Sequence, residues 1–250
     1  MIIVQQGSVD PSGLSGTERD VYDQKMASSE NFYYRTADEL LFELKLRAAI
    51  VKAARDLQAS GPAFASFSKS RANPRYWDRT EEGGFRLKPN VSPSDAIRDI
   101  YSNSSAYGFE CATAIIIVLY KAVLETIGDD LFDQLFGNLY LYSWEHDTDM
   151  PITTVKGNHP SFPGDILYYS NPDHDPSKPQ WQGENVVKLP GNKLYGHGIG
   201  ITNEEGIIRE LNANRKRGSR KSAYLLDQVT SPNYSDIMFE TRSDSRWSNV

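Results

Sequence analysis

The stretch "YGFECATAIIIVLYKA" covers residues 107–122 and contains Cys111, the only cysteine in the chain. Polar, turn-prone residues precede the cysteine, and a strongly apolar run follows it, so the pattern predicts a loop-to-helix junction with the helix running to about residue 127. Amides and the dipole at a helix start would stabilise a thiolate. A lone cysteine is also a common buried apolar residue, so position alone leaves both a nucleophile and a packing residue open.

The composition argues against several classes of protein. A net charge of −6 and a pI of about 5.3 argue against a general nucleic-acid binder. One cysteine excludes an intrachain disulfide framework and a multi-cysteine zinc site. The amino terminus has no basic segment or cleavage signal, and the longest apolar run is far shorter than the roughly 20 residues that span a bilayer. We therefore expect a soluble protein made in the cytoplasm without a signal peptide.

Two helices upstream of the cysteine are predicted from their capping residues. Thr36 opens "TADE", a capping box in which the Thr and Glu side chains each accept an end-of-helix amide. Leucines at helical spacing follow as far as the "SG" at residues 60–61. A second helix is predicted from Ser92, with Pro93 at its first position and an acidic residue completing the box. The first half of the chain is therefore predicted to be mainly helical.

After residue 136 the pattern changes to short β-like runs separated by turn-rich segments. These runs are "LYLYSW", "DILYY", "ENVVKL", "YGHGIGI" and "GIIREL", whereas "KSAYLLDQV" fits either a helix or a strand. Helices followed by strands indicate an α+β fold, and residues 1–250 are expected to form one domain. The polar segments 5–30 and 231–250 are expected to be only loosely ordered.

A nucleophilic cysteine needs a proton acceptor, normally a histidine or a carboxylate. Of the four histidines, His146, His159 and His174 lie in polar surroundings and are expected to face water. His197 is flanked by glycines in the predicted strand "YGHGIG", and strand glycines permit close approach of another backbone or a ligand. It follows Cys111 along the chain, an order that also occurs in papain-like sites, but a purely structural histidine remains the alternative.

Two glutamates are the other candidate acceptors. Glu184 opens the predicted buried strand in "WQGENVVKL", close to Trp181. Such a carboxylate is either tied to a backbone donor or functional, and burial would raise its pKa towards that of a useful acid or base. Glu110 adjoins Cys111, although neighbouring side chains often point apart.

Four motifs in these regions carry a resemblance to a known family. In this order and spacing, "YGFECATA", "GDILYYSNPDHDP", "WQGENVVKL" and "LYGHGIGI" resemble the spore-coat transglutaminases of bacilli, which are protein-glutamine γ-glutamyltransferases. The segments "TADELLFELKLRAAIVKAA", "SPSDAIRDI" and "SAYLLDQ" are similar as well. The similarity covers about residues 31–229, and the N-terminal arm and C-terminal tail do not match.

The resemblance implies a papain-like core related to the NlpC/P60 cell-wall peptidases, with a catalytic-cysteine helix at its N-terminal side and a central antiparallel sheet. It implies a cysteine nucleophile and no need for calcium, another metal or a cofactor. The implied catalytic residues are Cys111, Glu184, the partly interchangeable Glu110, and His197. The implied walls of a tunnel to the thiol are Trp181, Trp144 and Phe64.

The implied reaction joins two proteins. Cys111 would attack the γ-carboxamide of a substrate glutamine, ammonia would leave, and a lysine would take the acyl group to form an ε-(γ-glutamyl)lysine crosslink. Amides at the helix start would hold the oxyanion, and the thiol and a glutamate would share one proton. The expected partners are proteins that donate Gln and Lys side chains, not nucleic acid or a membrane, and the expected setting is spore coat assembly.

Two other functions remain as alternatives. An NlpC/P60-type cysteine peptidase or amidase would use Cys111 with His197 and would not depend on Glu184. A non-catalytic coat or scaffold protein would bury Cys111 as a packing residue, and its thiol would be unreactive.

Overall fold

The computed structural model describes residues 1–144, 147 and 149–247, with only the main chain described for 242–247. His146 lies outside the described residues. The helices are α1 (Gly16–Ala27), α2 (Ala37–Ser60), α3 (Pro93–Ser102), α4 (Cys111–Ile127), α5 (Asp129–Leu135), α6 (Glu204–Ala213) and α7 (Tyr234–Trp247). The strands are β1 (Ile2–Gln6), β2 (Phe32–Thr36), β3 (Ala63–Phe64), β4 (Trp77–Arg79), β5 (Phe85–Leu87), β6 (Gly108–Phe109), β7 (Tyr140–Leu141), β8 (Ile152–Lys156), β9 (Ile166–Ser170), β10 (Gly183–Leu189), β11 (Lys193–Gly196), β12 (Gly200–Thr202), β13 (Tyr224–Leu225) and β14 (Gln228–Pro232).

The capping residues start α2 and α3 where the sequence predicts them. Thr36 Oγ1 accepts the Glu39 main-chain N–H at 3.3 Å, and Ser92 Oγ accepts that of Asp95 at 3.2 Å. The Glu39 carboxylate reaches back to the main-chain N–H of Arg35 at 2.7 Å, one residue before the partner in a standard capping box. Helix α2 ends at Gly61, whose φ of 71° is the left-handed conformation that glycine adopts without strain.

Helix α4 lies at the centre of the hydrophobic core, as its apolar sequence predicts. From Ala114 to Leu124 nearly every side chain is buried, and a helix that is apolar on all sides needs neighbours on all sides. Helices α2, α3 and α5 and strand β10 supply them. Cys111 is the first residue of this helix, so the core holds the thiol in a fixed position.

The largest sheet in the described part of the chain is antiparallel and has seven strands. Its order is β12-β11-β10-β9-β14-β8, and β13 also pairs with β9. Within it, β10 is paired on both sides, with Glu184 opposite Tyr169 of β9 and Val186 opposite Gly196 of β11. The prediction of a mixed fold of helices and a central antiparallel sheet is therefore confirmed.

Several elements differ from the sequence-based expectation. The run "GIIREL", predicted as a strand, lies within helix α6, because Asn203 Oδ1 caps it by accepting the Gly206 N–H at 3.0 Å. His197 is not inside a strand but in the turn between β11 and β12, where Gly198 has a φ of 94°. The ambiguous "KSAYLLDQV" contributes strands β13 and β14.

The two segments expected to be loosely ordered contain helices. In the N-terminal segment, Val21 of α1 is fully buried, and Lys25 is buried with its Nζ donating to Tyr34 Oη at 2.8 Å and to Glu43 Oε1 at 2.5 Å. The burial of Lys25 could not be predicted from the sequence, because a lysine in a polar segment is normally exposed unless it has a buried acidic partner. In the C-terminal segment, α7 buries Ile237 against the core. Within the described residues, no helix is both long and apolar enough to cross a membrane.

Candidate active site

The thiol of Cys111 lies at the start of α4 beside the carboxylate of Glu110. Cys111 is 4% exposed, and its Sγ donates to Glu110 Oε2 over 3.4 Å. The same oxygen accepts the main-chain N–H of Ala112 at 3.2 Å, so Glu110 is the N-cap of the helix. The cap points the Glu110 side chain at its own neighbour, which brings together two of the predicted catalytic residues.

The electrostatics of the thiol differ from what a helix start alone predicts. Burial raises the pKa of Cys111 well above its usual value, and the charges of Glu184 and Glu110 raise it further. Hydrogen bonds from Asn185 oppose this rise. The positive end of the helix dipole does not prevail, because burial and the charges of the two glutamates outweigh it. The resting site therefore favours a neutral thiol, and the expectation that the helix start favours a thiolate is wrong for the resting state.

Glu184 lies at the start of β10 and is 2% exposed. Burial raises its pKa well above the usual value, the charge of Glu110 adds to this, and a hydrogen bond from the main-chain N–H of His197 opposes it. Its Oε1 has no hydrogen-bond partner among the described residues. A Cβ placed on Gly196 would lie only 2.9 Å from this oxygen, so the glycine makes room for the carboxyl group. Glu184 is thus a buried carboxyl group that favours its protonated form.

His197 is buried in a different set of contacts from those of a cysteine–histidine pair. Its ring Nδ1 lies 3.2 Å from Tyr195 Oη and its Nε2 lies 3.4 Å from the carbonyl oxygen of Ala63. The ring stacks on Phe109 with centroids 4.6 Å apart. Burial lowers its pKa to about 4, so the imidazole is neutral at pH 7. The hydrogen bonds of the ring nitrogens go to Tyr195 and Ala63, and the imidazole ties the turn after β11 to β3 and β6.

A pocket of about 230 Å³ lies over the thiol. Cys111, Glu110 and Asn185 line its floor, and Phe67 and Tyr142 form an aromatic wall with ring centroids 4.6 Å apart. The remaining lining residues are Ala112, Ser143, Tyr168, Gln180, Gln182 and Gly183. A pocket this narrow, with an aromatic wall, suits a side chain inserted from outside more than a folded domain.

The three aromatic residues predicted to line a tunnel have different positions. The rings of Phe64 and Trp181 are in contact, with centroids 6.2 Å apart, and Phe64 borders a second pocket of about 170 Å³ together with His197. Trp144 borders neither pocket within the described residues, and its indole Nε1 donates to Asn185 Oδ1 at 3.1 Å instead.

Asn185 is the site residue that sequence reasoning missed. It is 6% exposed, and its Nδ2 lies 3.6 Å from Cys111 Sγ. Successive side chains of a strand point to opposite faces of the sheet. A role for Glu184 in the site therefore does not predict a role for the next residue, Asn185. The available signal was a second polar residue in a run that reads as fully buried, since a buried amide needs partners. As for metals, no group of three or more His, Cys, Asp or Glu side chains in the described part of the chain could hold an ion.

Comparisons with known proteins agree on one family. The family model described as protein-glutamine gamma-glutamyltransferase matches residues 1–241. A protein-glutamine gamma-glutamyltransferase from Bacillus licheniformis is 46% identical over 89% of this chain and 90% of its own length. The protein of that name from Bacillus subtilis (strain 168) is 44% identical over 92% and 95%. The solved transglutaminase from Geobacillus stearothermophilus (without C-terminal extension) is 53% identical, with a TM-score of 0.78, and the match covers 81% of this chain and 96% of that one.

Proposed function

Because the chain belongs to the protein-glutamine gamma-glutamyltransferase family, we propose how its own residues carry out the transfer. The enzyme is a transglutaminase, an acyltransferase that acts on protein-bound glutamine. The observation that supports the assignment most strongly is the contact of its single thiol with Glu110 at 3.4 Å, beside the buried Glu184. Cys111 is the nucleophile, and the two carboxyl groups handle the protons.

In the first half of the reaction, a glutamine side chain enters the pocket over the thiol. Glu110 takes the thiol proton as Sγ attacks the γ-carboxamide carbon, since the two groups are already in contact. The carbon–nitrogen bond then breaks, and ammonia leaves with that proton. A thioester on Cys111 remains.

In the second half, a lysine amine attacks the thioester and loses one proton as the amide bond forms. Glu110 accepts that proton and passes it to the sulfur, so that Cys111 leaves as a thiol. We assign Glu110 as the direct partner of the sulfur and Glu184 as the buried acid that sets the charge of the pair, because Glu110 contacts the sulfur and its charge raises the pKa of Glu184. This reverses the order of importance that the resemblance implies.

The other predicted residues support these steps indirectly. Neutral His197 holds the segment before Cys111 through its stack on Phe109 and its bond to Ala63. The rings of Trp181 and Phe64 are in contact, but Phe64 borders the pocket beside His197 and not the pocket over the thiol, so we assign neither ring a direct part in these steps. We also propose that the core is papain-like and related to the NlpC/P60 peptidases. A peptidase mechanism itself has little support, since the lowered pKa makes His197 a weak base and its ring nitrogens bond Tyr195 and Ala63.

We further propose that the reaction needs no calcium or cofactor and that the substrates are spore coat proteins. The sequence resemblance to the spore-coat enzymes and the occurrence of similar proteins in Bacillus support this setting. A test is dansylcadaverine labelling of extracts from purified spores and from the matching vegetative cells. Labelling of coat proteins well above the vegetative background is expected, and equal labelling of both extracts would count against a coat substrate.

The function itself is tested by incorporation of a fluorescent primary amine into casein with EDTA present, for wild type and Cys111→Ala. Incorporation by the wild type alone is expected. Incorporation that depends on added calcium would overturn the calcium-independent reaction. Activity in the Cys111→Ala variant would overturn the assigned nucleophile.

A further inference from the structure

Trp144 and Asn185 form a chain of hydrogen bonds that ends at the sulfur of Cys111. The indole Nε1 of Trp144 donates to Asn185 Oδ1 at 3.1 Å, and Asn185 Nδ2 lies 3.6 Å from Sγ. Asn185 is buried and lies in the floor of the thiol pocket. Asn185 therefore directs its amide NH₂ group at the reacting atom.

Trp144 determines which end of the Asn185 amide faces the thiol. An indole N–H can only donate, so the amide atom opposite it must be the oxygen. The amide NH₂ group is thereby directed to Cys111 Sγ. Without the indole, the carboxamide could turn over and present its oxygen to the sulfur, which would repel a thiolate. Trp144 thus fixes the donor orientation of Asn185.

One of the amides that a helix start would offer to an oxyanion is already engaged. The main-chain N–H of Ala112 donates to Glu110 Oε2 at 3.2 Å. Its use for substrate would require Glu110 to give up its capping bond. Asn185 Nδ2, in contrast, has two hydrogens, and a primary amide that directs one of them to the sulfur retains a second donor for the pocket.

We propose that the Asn185 carboxamide holds the oxyanion of the acyl-transfer step and that Trp144 positions it. The inference rests on the proposed role of Cys111 as nucleophile. As Sγ attacks, a sulfur–carbon bond forms, the carbonyl π electrons move to the oxygen, and the thiol proton passes to Glu110. Collapse of this intermediate restores the carbonyl and breaks the carbon–nitrogen bond, and the nitrogen leaves as ammonia with that proton. Asn185 donates to the charged oxygen between these two events.

The test measures ammonia release from a short glutamine peptide with methylamine as acceptor. Asn185→Ala is expected to lower kcat by about 100- to 1,000-fold, the usual cost of one oxyanion donor, with KM changed much less. Trp144→Phe keeps an aromatic ring but loses the N–H, and a smaller fall, on the order of tenfold, is expected. In the Asn185→Ala background, Trp144→Phe should add less than about twofold, since the two residues act as one unit.

Two further variants keep the test decisive. Asn185→Asp preserves shape and the acceptor for Trp144 but adds a buried carboxyl group, so a loss of kcat in it counts only where its melting temperature matches the wild type. Asn212→Ala removes a carboxamide that bonds Ser222 on the surface of α6, and it should leave kcat unchanged. Thermal unfolding of each variant is measured alongside.

The outcomes separate this inference from the proposed function. Activity in Cys111→Ala would refute the nucleophile and the inference together. An inactive Cys111→Ala with wild-type kcat in both Asn185 variants would refute the oxyanion role alone. Equal losses from Trp144→Phe in both backgrounds would refute the positioning role of Trp144.

Discussion

Replacement of Glu110 by Gln is expected to make the Cys111 thiol more reactive and the enzyme slower. Gln has nearly the same shape, and its Oε1 can still cap α4 by accepting the Ala112 N–H, which now donates to Glu110 Oε2 at 3.2 Å. The change therefore removes a charge and a proton acceptor without removing the cap. The sulfur is the atom most affected, because it lies 3.4 Å from that oxygen.

The size of the effect follows from this distance. At an effective dielectric constant of about 20, two unit charges 3.4 Å apart repel by about 5 kcal/mol. If only a quarter of this, about 1.2 kcal/mol, bears on the ionisation of the thiol, the thiolate-to-thiol ratio rises about eightfold. A thiolate of lower pKa is a weaker nucleophile, and a Brønsted slope of about 0.4–0.5 reduces the net gain to about threefold. Transfer should fall by at least about 100-fold, because the proton acceptor is lost.

The assay compares two rates in one preparation. The rate of iodoacetamide labelling at pH 7 should rise at least threefold in Glu110→Gln, while amine incorporation into casein falls. The isosteric variant should keep the melting temperature of the wild type. Slower or unchanged labelling would show that Glu110 and the thiol are not coupled, and the assignment of Glu110 as the direct partner would be refuted.

Three further predictions follow. Burial raises the pKa of Glu43, but the charges of Lys25 and Arg47 outweigh this and hold the pKa at about 2. The ionised Glu43 therefore stabilises the fold fully above its unfolded pKa of about 4.5, and this stability is lost as the pH falls towards 2. Glu43→Gln should lower the free energy of unfolding, measured by urea denaturation, by about 3–5 kcal/mol at pH 7 and flatten its pH dependence, and an unchanged profile would contradict the buried ion pair. His197→Gln should reduce kcat by no more than about tenfold and leave the pH–rate profile between 5.5 and 8 unchanged, whereas a loss of 100-fold or more would indicate a general base. Gly196→Ala should displace the Glu184 carboxyl group and lower kcat by up to about 100-fold, because the new Cβ would lie 2.9 Å from Oε1, and a fully active variant would argue against a role for Glu184.

Local rules predicted the parts of the fold that local contacts determine. The caps at Thr36 and Ser92 set the starts of α2 and α3, and the apolar run after Cys111 placed α4 at the centre of the core. Helix α1 was not predicted, because the ion pair between Lys25 and the buried Glu43 stabilises it. Glu43 is 18 residues away along the chain and lies on another helix. An ion pair of this kind cannot be inferred from the composition of either segment alone.

In the site, too, local motifs predicted some features, whereas contacts between distant segments determine the others. Motif matching identified Cys111, Glu110 and Glu184; the structure places Cys111 in contact with Glu110, and the charge of Glu184 acts on the thiol. The protonation state of the thiol was mispredicted, since it depends on burial and on the charges of the two glutamates, which outweigh the helix dipole. The contact of Asn185 with the sulfur was missed, because it depends on the way Trp144 orients a side chain 41 positions away. Contacts between distant segments decide both features, and spacing within one motif does not reveal them.

The most direct test of the thioester mechanism is the mass of the enzyme trapped with its acyl group. The wild type is mixed with a glutamine-containing peptide without an amine acceptor, quenched in acid within the first turnover, and measured intact and after digestion. The expected adduct has the mass of the peptide less one ammonia, is attached to Cys111 and is released by hydroxylamine. An active enzyme that shows no such adduct, or that carries it on another residue, would contradict the thioester mechanism.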